Sequence, residues 1–142
     1  MVAAVKYNDY VEQLARGTHQ WHAHTFKYAF SNVAPNAAHA VLADISQIAS
    51  GGGYTGGAGG GLACDSVALT ETGGIASLAI ADEVFTAAAG MNPFRTVALY
   101  NDTPTTPVVD PLVCAWDYGS SLALADTEVF TIDNGASVWT LT

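Results

Sequence analysis

Residues 62 to 142 read as a series of short β-rich segments, and this punctuation constrains the fold more than any other feature of the chain. The segments are "LACDSVALTE", "IASLAIADEVFTA", "RTVALYND", "LVCAWDYG", "EVFTIDN" and "SVWTLT". "ETGG", "GMNP", "DTPTTPVVDP" and "DNGA" punctuate them. Glycine, proline, asparagine and aspartate supply the backbone angles that turns require, so each cluster ends a strand. Asp133-Asn134-Gly135, between two β-rich runs, is a tight-hairpin signal. Strands at this spacing, with minor helical pieces, predict a mainly β fold: an antiparallel β-sandwich or jelly-roll-like barrel with one or two short helices.

The helical pieces lie in the first 61 residues. In "KYNDYVEQLAR", residues 6–16, Asn8 or Asp9 can cap a helix on which Tyr10, Val11 and Leu14 are spaced helically. Gly17 stops it just after Arg16, whose charge suits the C-terminal dipole. "HAHTFKYAF" alternates, placing His22, His24, Phe26, Tyr28 and Phe30 on one face of a half-buried strand. "SNVAPN" is a loop. Residues 37–50, with Val41, Leu42, Ile45 and Ile48 as a partial stripe, form a helix or a helical turn. No linker interrupts the chain. The expected organisation is an N-terminal arm or short helix, residues 1–17, on a single β-rich domain, residues 18–142.

Charge narrows the function. Only 12% of the residues are charged, against about a quarter in an average soluble domain, so apolar surface is left for other subunits to cover. Thirteen acidic and four basic residues give a net charge of −9. Lys6, Arg16, Lys27 and Arg95 are scattered, whereas nucleic-acid binding needs clustered cations. Neither nucleic acid nor an anionic membrane is an expected partner. The start reads as no signal peptide, and no apolar run approaches the roughly 18 residues of a membrane span. Cys64 and Cys114 sit in apolar strand settings and are expected to be buried, reduced thiols.

Three sets of residues could carry chemistry. Eight of the 14 glycines fall within "SGGGYTGGAGGG", residues 50–61. A phosphate-binding P-loop would continue into Lys and Ser or Thr, but Leu62 and Ala63 follow. A dinucleotide turn would need a parallel βαβ context. The run is therefore expected to be a turning surface loop, flexible or ordered only against a neighbouring subunit. His22 and His24 could share a metal, but no carboxylate or cysteine stands nearby at ligand spacing, and aromatic packing is the simpler account. The aspartates fall mostly at turns, and no nucleophile motif is present. The sequence predicts no enzyme, no metal and no cofactor. A sugar-binding module remains as an alternative, with Trp116-Asp117-Tyr118 as its site.

Several separated pieces together resemble a known group. They are "YNDYVEQLARG", "HTFKYAFSNVAPN", "GYTGG", "TVALYNDT" followed by "DPLVCAWDYG", and "EVFTIDNGASVWTLT". In order and rough spacing they are similar to small virion-associated proteins of tailed bacteriophages and prophages. The resemblance implies a structural phage protein. By analogy with head-decorating cement proteins it implies a β-rich homotrimer on the capsid surface, bound to the major capsid protein and assembled in the bacterial host cytoplasm. A tail, neck or baseplate component is the alternative. Under this reading Tyr7, Tyr10 and Leu14 of the N-terminal segment, with Trp21, Tyr54, Trp116 and Trp139, are the expected interface residues. Ordinary core packing is the competing account of the tryptophans.

Overall fold

A computed structural model describes residues 2–142. The elements are β1 (Ala4–Lys6), α1 (Asp9–Ala15), β2 (Phe26–Ser31), a 3-10 turn (Leu42–Asp44), β3 (Leu62–Ala63), β4 (Val67–Thr72), β5 (Ile75–Ile80), β6 (Glu83–Thr86), β7 (Phe94–Asn101), β8 (Leu112–Leu122), β9 (Val129–Ile132) and β10 (Trp139–Leu141). Every strand pairing is antiparallel. A main sheet runs β1-β8-β7-β2-β3, and a second layer holds β10-β5-β4 and the pair β6-β9. The fold is mainly β and sandwich-like, as the turn punctuation predicts.

The core lies between the layers. Phe26, Tyr28 and Phe30 of β2 and Val97 and Leu99 of β7 pack against Leu78, Ile80, Phe85 and Ile132 of the second layer. Phe30 stacks on Tyr54 and Phe94, with ring centroids 5.0 and 4.6 Å away, and meets Phe85 edge-on. Offset and edge-on aromatic pairs of this kind add to the area they bury. The main sheet is buried on its other face as well. There Ala29, Ala98 and Ala115 lie opposite one another across three strands, and Tyr7, Leu42, Tyr100 and Leu112 close over them. Small side chains let the covering segment approach the sheet.

This double burial corrects the expected half-buried strand. Phe26, Tyr28 and Phe30 do share a face, but Ala29 on the opposite face is equally buried. The strand begins only at Phe26, so His22 and His24 lie in the turn before it. Of the helix or turn expected over residues 37–50, one 3-10 turn forms. Asp44 accepts hydrogen bonds from the amides of Ala40 and Val41, at 2.9 and 3.0 Å. Leu42 donates to the Asp110 carbonyl, and Leu112 to that of Ala40, both at 2.9 Å. Backbone groups that a longer helix would use internally are bonded to the start of β8.

The hairpin expected at Asp133-Asn134-Gly135 does not form. β9 pairs with β6 whereas β10 pairs with β5, so residues 133–138 cross from one sheet to the other. Asn134 is buried at the crossing. Its side-chain amide donates to the Ala81 carbonyl at 2.7 Å and to the Tyr28 hydroxyl at 2.9 Å, while its backbone N–H reaches Asp82 at 2.8 Å. The tight two-residue hairpin is instead Gly73-Gly74 between β4 and β5, with φ of +62° and +84°. Two positive φ values match the twist of antiparallel strands.

The N-terminal segment, expected to be an arm or short helix over residues 1–17, forms the helix α1 and is also paired with the main sheet over its described part. Val5 pairs with Ala115, and the Tyr7 amide donates to the Val113 carbonyl at 3.1 Å. These bonds keep Lys6 and Tyr7 out of the helix, which starts at Asp9. Gly17, at φ +77°, ends it.

Candidate functional site

The glycine run 50–61 is ordered against its own chain, which corrects the expectation of a flexible or subunit-dependent loop. Gly51 and Tyr54 exchange backbone bonds of 2.9 and 3.1 Å, Gly61 donates to Thr55 at 2.7 Å, and Gly60 donates to Gly57 at 3.1 Å. Gly56 donates to the Ser50 hydroxyl at 2.9 Å, and Gly57 to Gln47 Oε1 at 3.2 Å. These amides are the groups that a phosphate would need, and they are already engaged. The carbonyls are used too: Lys27 Nζ donates to Gly59 at 2.6 Å, and the Tyr100 hydroxyl donates to Gly60. Glycine is demanded where backbone passes backbone. At Gly61, with φ +96°, a Cβ would collide with the Tyr28 carbonyl, and at Gly52, with φ +57°, it would strike the Met91 backbone.

The histidines serve a buried polar hub. Asn101 is fully buried, and its Oδ1 accepts from the Thr103 amide at 3.3 Å, which orients the side chain. Its Nδ2 then faces His19 Nδ1 at 3.3 Å and His24 Nδ1 at 3.0 Å. Donation from Asn101 Nδ2 requires an unprotonated Nδ1 on the accepting ring, and the Thr18 carbonyl, at 3.4 Å, competes for the same two N–H groups. Burial, with the His24 ring as the lesser cause, pushes the His19 pKa down to about 4. Protonating Nδ1 would also set two donors against each other. His22 is exposed. Among the described residues no group of three His, Cys, Asp or Glu side chains is arranged to hold a metal ion.

His24 also lines a cleft of about 400 Å³ with Arg16, Gln20, Thr103 and Thr105. Amides and hydroxyls dominate this cleft, and neither a carboxylate nor a thiol lines it. It offers hydrogen-bond donors and acceptors, the threonine hydroxyls among them, without a carboxylate pair. Cys64 and Cys114 are free thiols. Burial pushes Cys64 up to about 11 and Cys114 further, away from the reactive thiolate.

Five of the seven expected interface residues are core residues of the chain. Tyr7, Tyr10, Trp21, Tyr54 and Trp116 are buried, whereas Leu14 and Trp139 are half-buried. Trp21 stacks on Phe26 with ring centroids 3.8 Å apart, and Tyr10, His19 and Trp139 close around them. The Tyr54 hydroxyl accepts from the Phe30 amide and donates to Gln47 Oε1, both at 3.0 Å. The sugar site read at Trp116-Asp117-Tyr118 is not displayed either. Trp116 is buried, and Asp117 is held by the Arg95 guanidinium at 2.7 and 2.8 Å.

What the molecule does display is aliphatic surface on the second layer. Leu69 of β4, Ile75 of β5 and Leu141 of β10 are 55%, 43% and 55% exposed, and Val84 of β6 and Val129 of β9 are 58% and 57% exposed. The register places Leu69, Leu78 and Trp139 in one row across the sheet, from exposed through buried to half-buried. The inner face of β10-β5-β4 thus runs past the core that it covers. Sequence alternation alone could not separate covered from overhanging positions on the same face. The signal available was the charge: from Ser66 to Ile80 the only charged residue is Glu71.

Among the described residues no helix is long and apolar enough to cross a membrane. No family model matches the chain, no curated protein matches it in sequence, and no solved structure matches it in fold.

Proposed function

We propose that this chain is a structural protein of a tailed-phage virion, a capsid decoration or cement protein that associates with itself and with the major capsid protein. The observation that carries the reading is exposed aliphatic surface on both faces of the second layer, Leu69 and Leu141 on the inner face and Ile75, Val84 and Val129 on the outer, in a chain with 12% charged residues. Such a surface suits broad protein contact rather than capture of a small molecule. The ordered sequence pieces quoted above supply the virion context, and the β-rich framework suits a shell-bound protein.

The test is the copy number of this chain in purified virions, by quantitative mass spectrometry against the major capsid protein. Near-equal copies are expected of a protein that covers the shell. A small fraction of that number would move it to the tail, neck or vertices, and its absence from virions would end the reading.

A further inference from the structure

Unpartnered polar atoms concentrate in one place. Among the described residues six buried side-chain N or O atoms make no hydrogen bond, and four of them belong to Tyr10, His19, Trp21 and Trp139. These four form a single aromatic cluster, with ring centroids 5.0 Å apart for Tyr10 and His19, 6.2 Å for Tyr10 and Trp139, and 6.4 Å for Trp21 and Trp139. The indole N–H groups of Trp21 and Trp139 are turned toward the Tyr10 hydroxyl, but neither reaches hydrogen-bond geometry. Buried polar groups are nearly always bonded, so a cluster of orphans calls for a partner that the chain does not supply.

A cleft of about 270 Å³ shares a wall with this cluster, because Tyr10 and Trp139 belong to both. It lies between β1, at the edge of the main sheet, and β10, at the edge of the second layer. Lys6 lines it too. The register sets Lys6 opposite Cys114 of the interlayer core, so alternation turns Lys6 toward the cleft and Val5 away from it. Lys6 is also the one side-chain cation without an ion pair among the described residues. No carboxylate lines the cleft, although the chain carries −9. Cys114, its thiol pKa raised by burial, stays neutral there.

We propose that this cleft binds a small organic acid, an apolar body carrying one carboxylate. The donors decide the head. An ammonium and an indole N–H donate and cannot accept, so the set requires an acceptor, and the unmatched Lys6 requires an anion. The walls decide the body, which packs against Val113, Val138 and the Trp139 ring. Trp139 is only half-buried and stands on a three-residue strand with one neighbour, so it can turn to bring its N–H and the Tyr10 hydroxyl to the carboxylate. A volume of about 270 Å³ is at the small end of ligand pockets, which run from about 300 Å³ upward. It limits the body to a short chain or a single ring. The site is independent of the exposed aliphatic surface and of the virion reading.

Isothermal titration calorimetry of the full chain with octanoate and benzoate tests the proposal, with octanol and benzyl alcohol as uncharged counterparts. The acids should bind with a Kd of about 1 mM or tighter, and the alcohols at least about tenfold more weakly. Lys6→Gln, at an exposed position of β1, should weaken the acids about tenfold and leave the alcohols unchanged. Ala4→Phe, on the same face of β1, should fill the cleft and abolish binding of both. Should that variant fail to fold, Tyr10→Phe decides in two readouts. It should weaken the acids and, because it removes an unpartnered hydroxyl, leave the urea midpoint of the free protein unchanged or higher. A lowered midpoint would mean that the indoles already bond to Tyr10, and would overturn the proposal. So would no heat from either acid with the folded wild type, equal binding of acids and alcohols, or acids indifferent to Lys6→Gln.

Discussion

At the scale of single residues, the glycine run and His19 make the sharpest predictions. Gly61→Ala meets both a left-handed backbone and the Tyr28 carbonyl, whereas Gly57→Ala, at φ +92° with open space around it, meets only the first. The backbone conformation costs about 1–2 kcal/mol and overpacking a further 1–3 kcal/mol or so. Thermal melts should therefore place Gly61→Ala at least about 1 kcal/mol below Gly57→Ala. For His19 the folded pKa, about 4, lies below the ordinary 6.5. Between these values the unfolded chain binds more protons, so the stabilisation is complete above pH 6.5, declines as the pH falls, and is gone below 4. The loss amounts to about 3 kcal/mol over the window. Denaturant titrations of His19→Gln, which keeps an acceptor for Asn101, should be flatter there than those of the wild type. Equal slopes would remove His19 from the account.

At the scale of elements, the crossing at residues 133–138 and the grip of Tyr54 decide how the layers are joined. Asn134→Ala leaves the fully buried Tyr28 hydroxyl and the Ala81 carbonyl without their partner. An orphaned buried group costs about 1–3 kcal/mol, so urea titration should show a loss of about 2 kcal/mol or more. A near-neutral result would mean an ordinary exposed hairpin, as the sequence alone suggests. Tyr54→Phe keeps the stacking on Phe30 but strands the Phe30 amide, and a loss of about 1–2 kcal/mol is expected in the same assay. These contacts join positions 24 and 106 apart in sequence.

At the scale of the whole molecule, charge is the organising quantity. Arg16, Lys27 and Arg95 pair with Glu12, Asp102 and Asp117, at 2.6 to 2.7 Å. Three of the four side-chain cations are thereby matched within the chain, and the acid excess stays at the surface.

Local chemistry was enough to read the β class, most strand positions and the short N-terminal helix, because turn residues and two-residue alternation act over a few neighbours. The same signals showed that the glycine run lacks a phosphate motif. Where residues depend on distant partners, the sequence was silent. Asp133-Asn134-Gly135 has hairpin chemistry, but Tyr28 and Ala81 hold Asn134 in a sheet crossing. Residues 37–50 have a helical stripe, but β8 takes their backbone bonds. Aromatic residues suited to an interface, Tyr7, Tyr10, Trp21, Tyr54 and Trp116, are equally suited to a core, and only packing of the two layers chose the core. The exposed β4 edge was decided the same way: its strand character is local, but the absence of a neighbour on one side is a property of the assembled sheet.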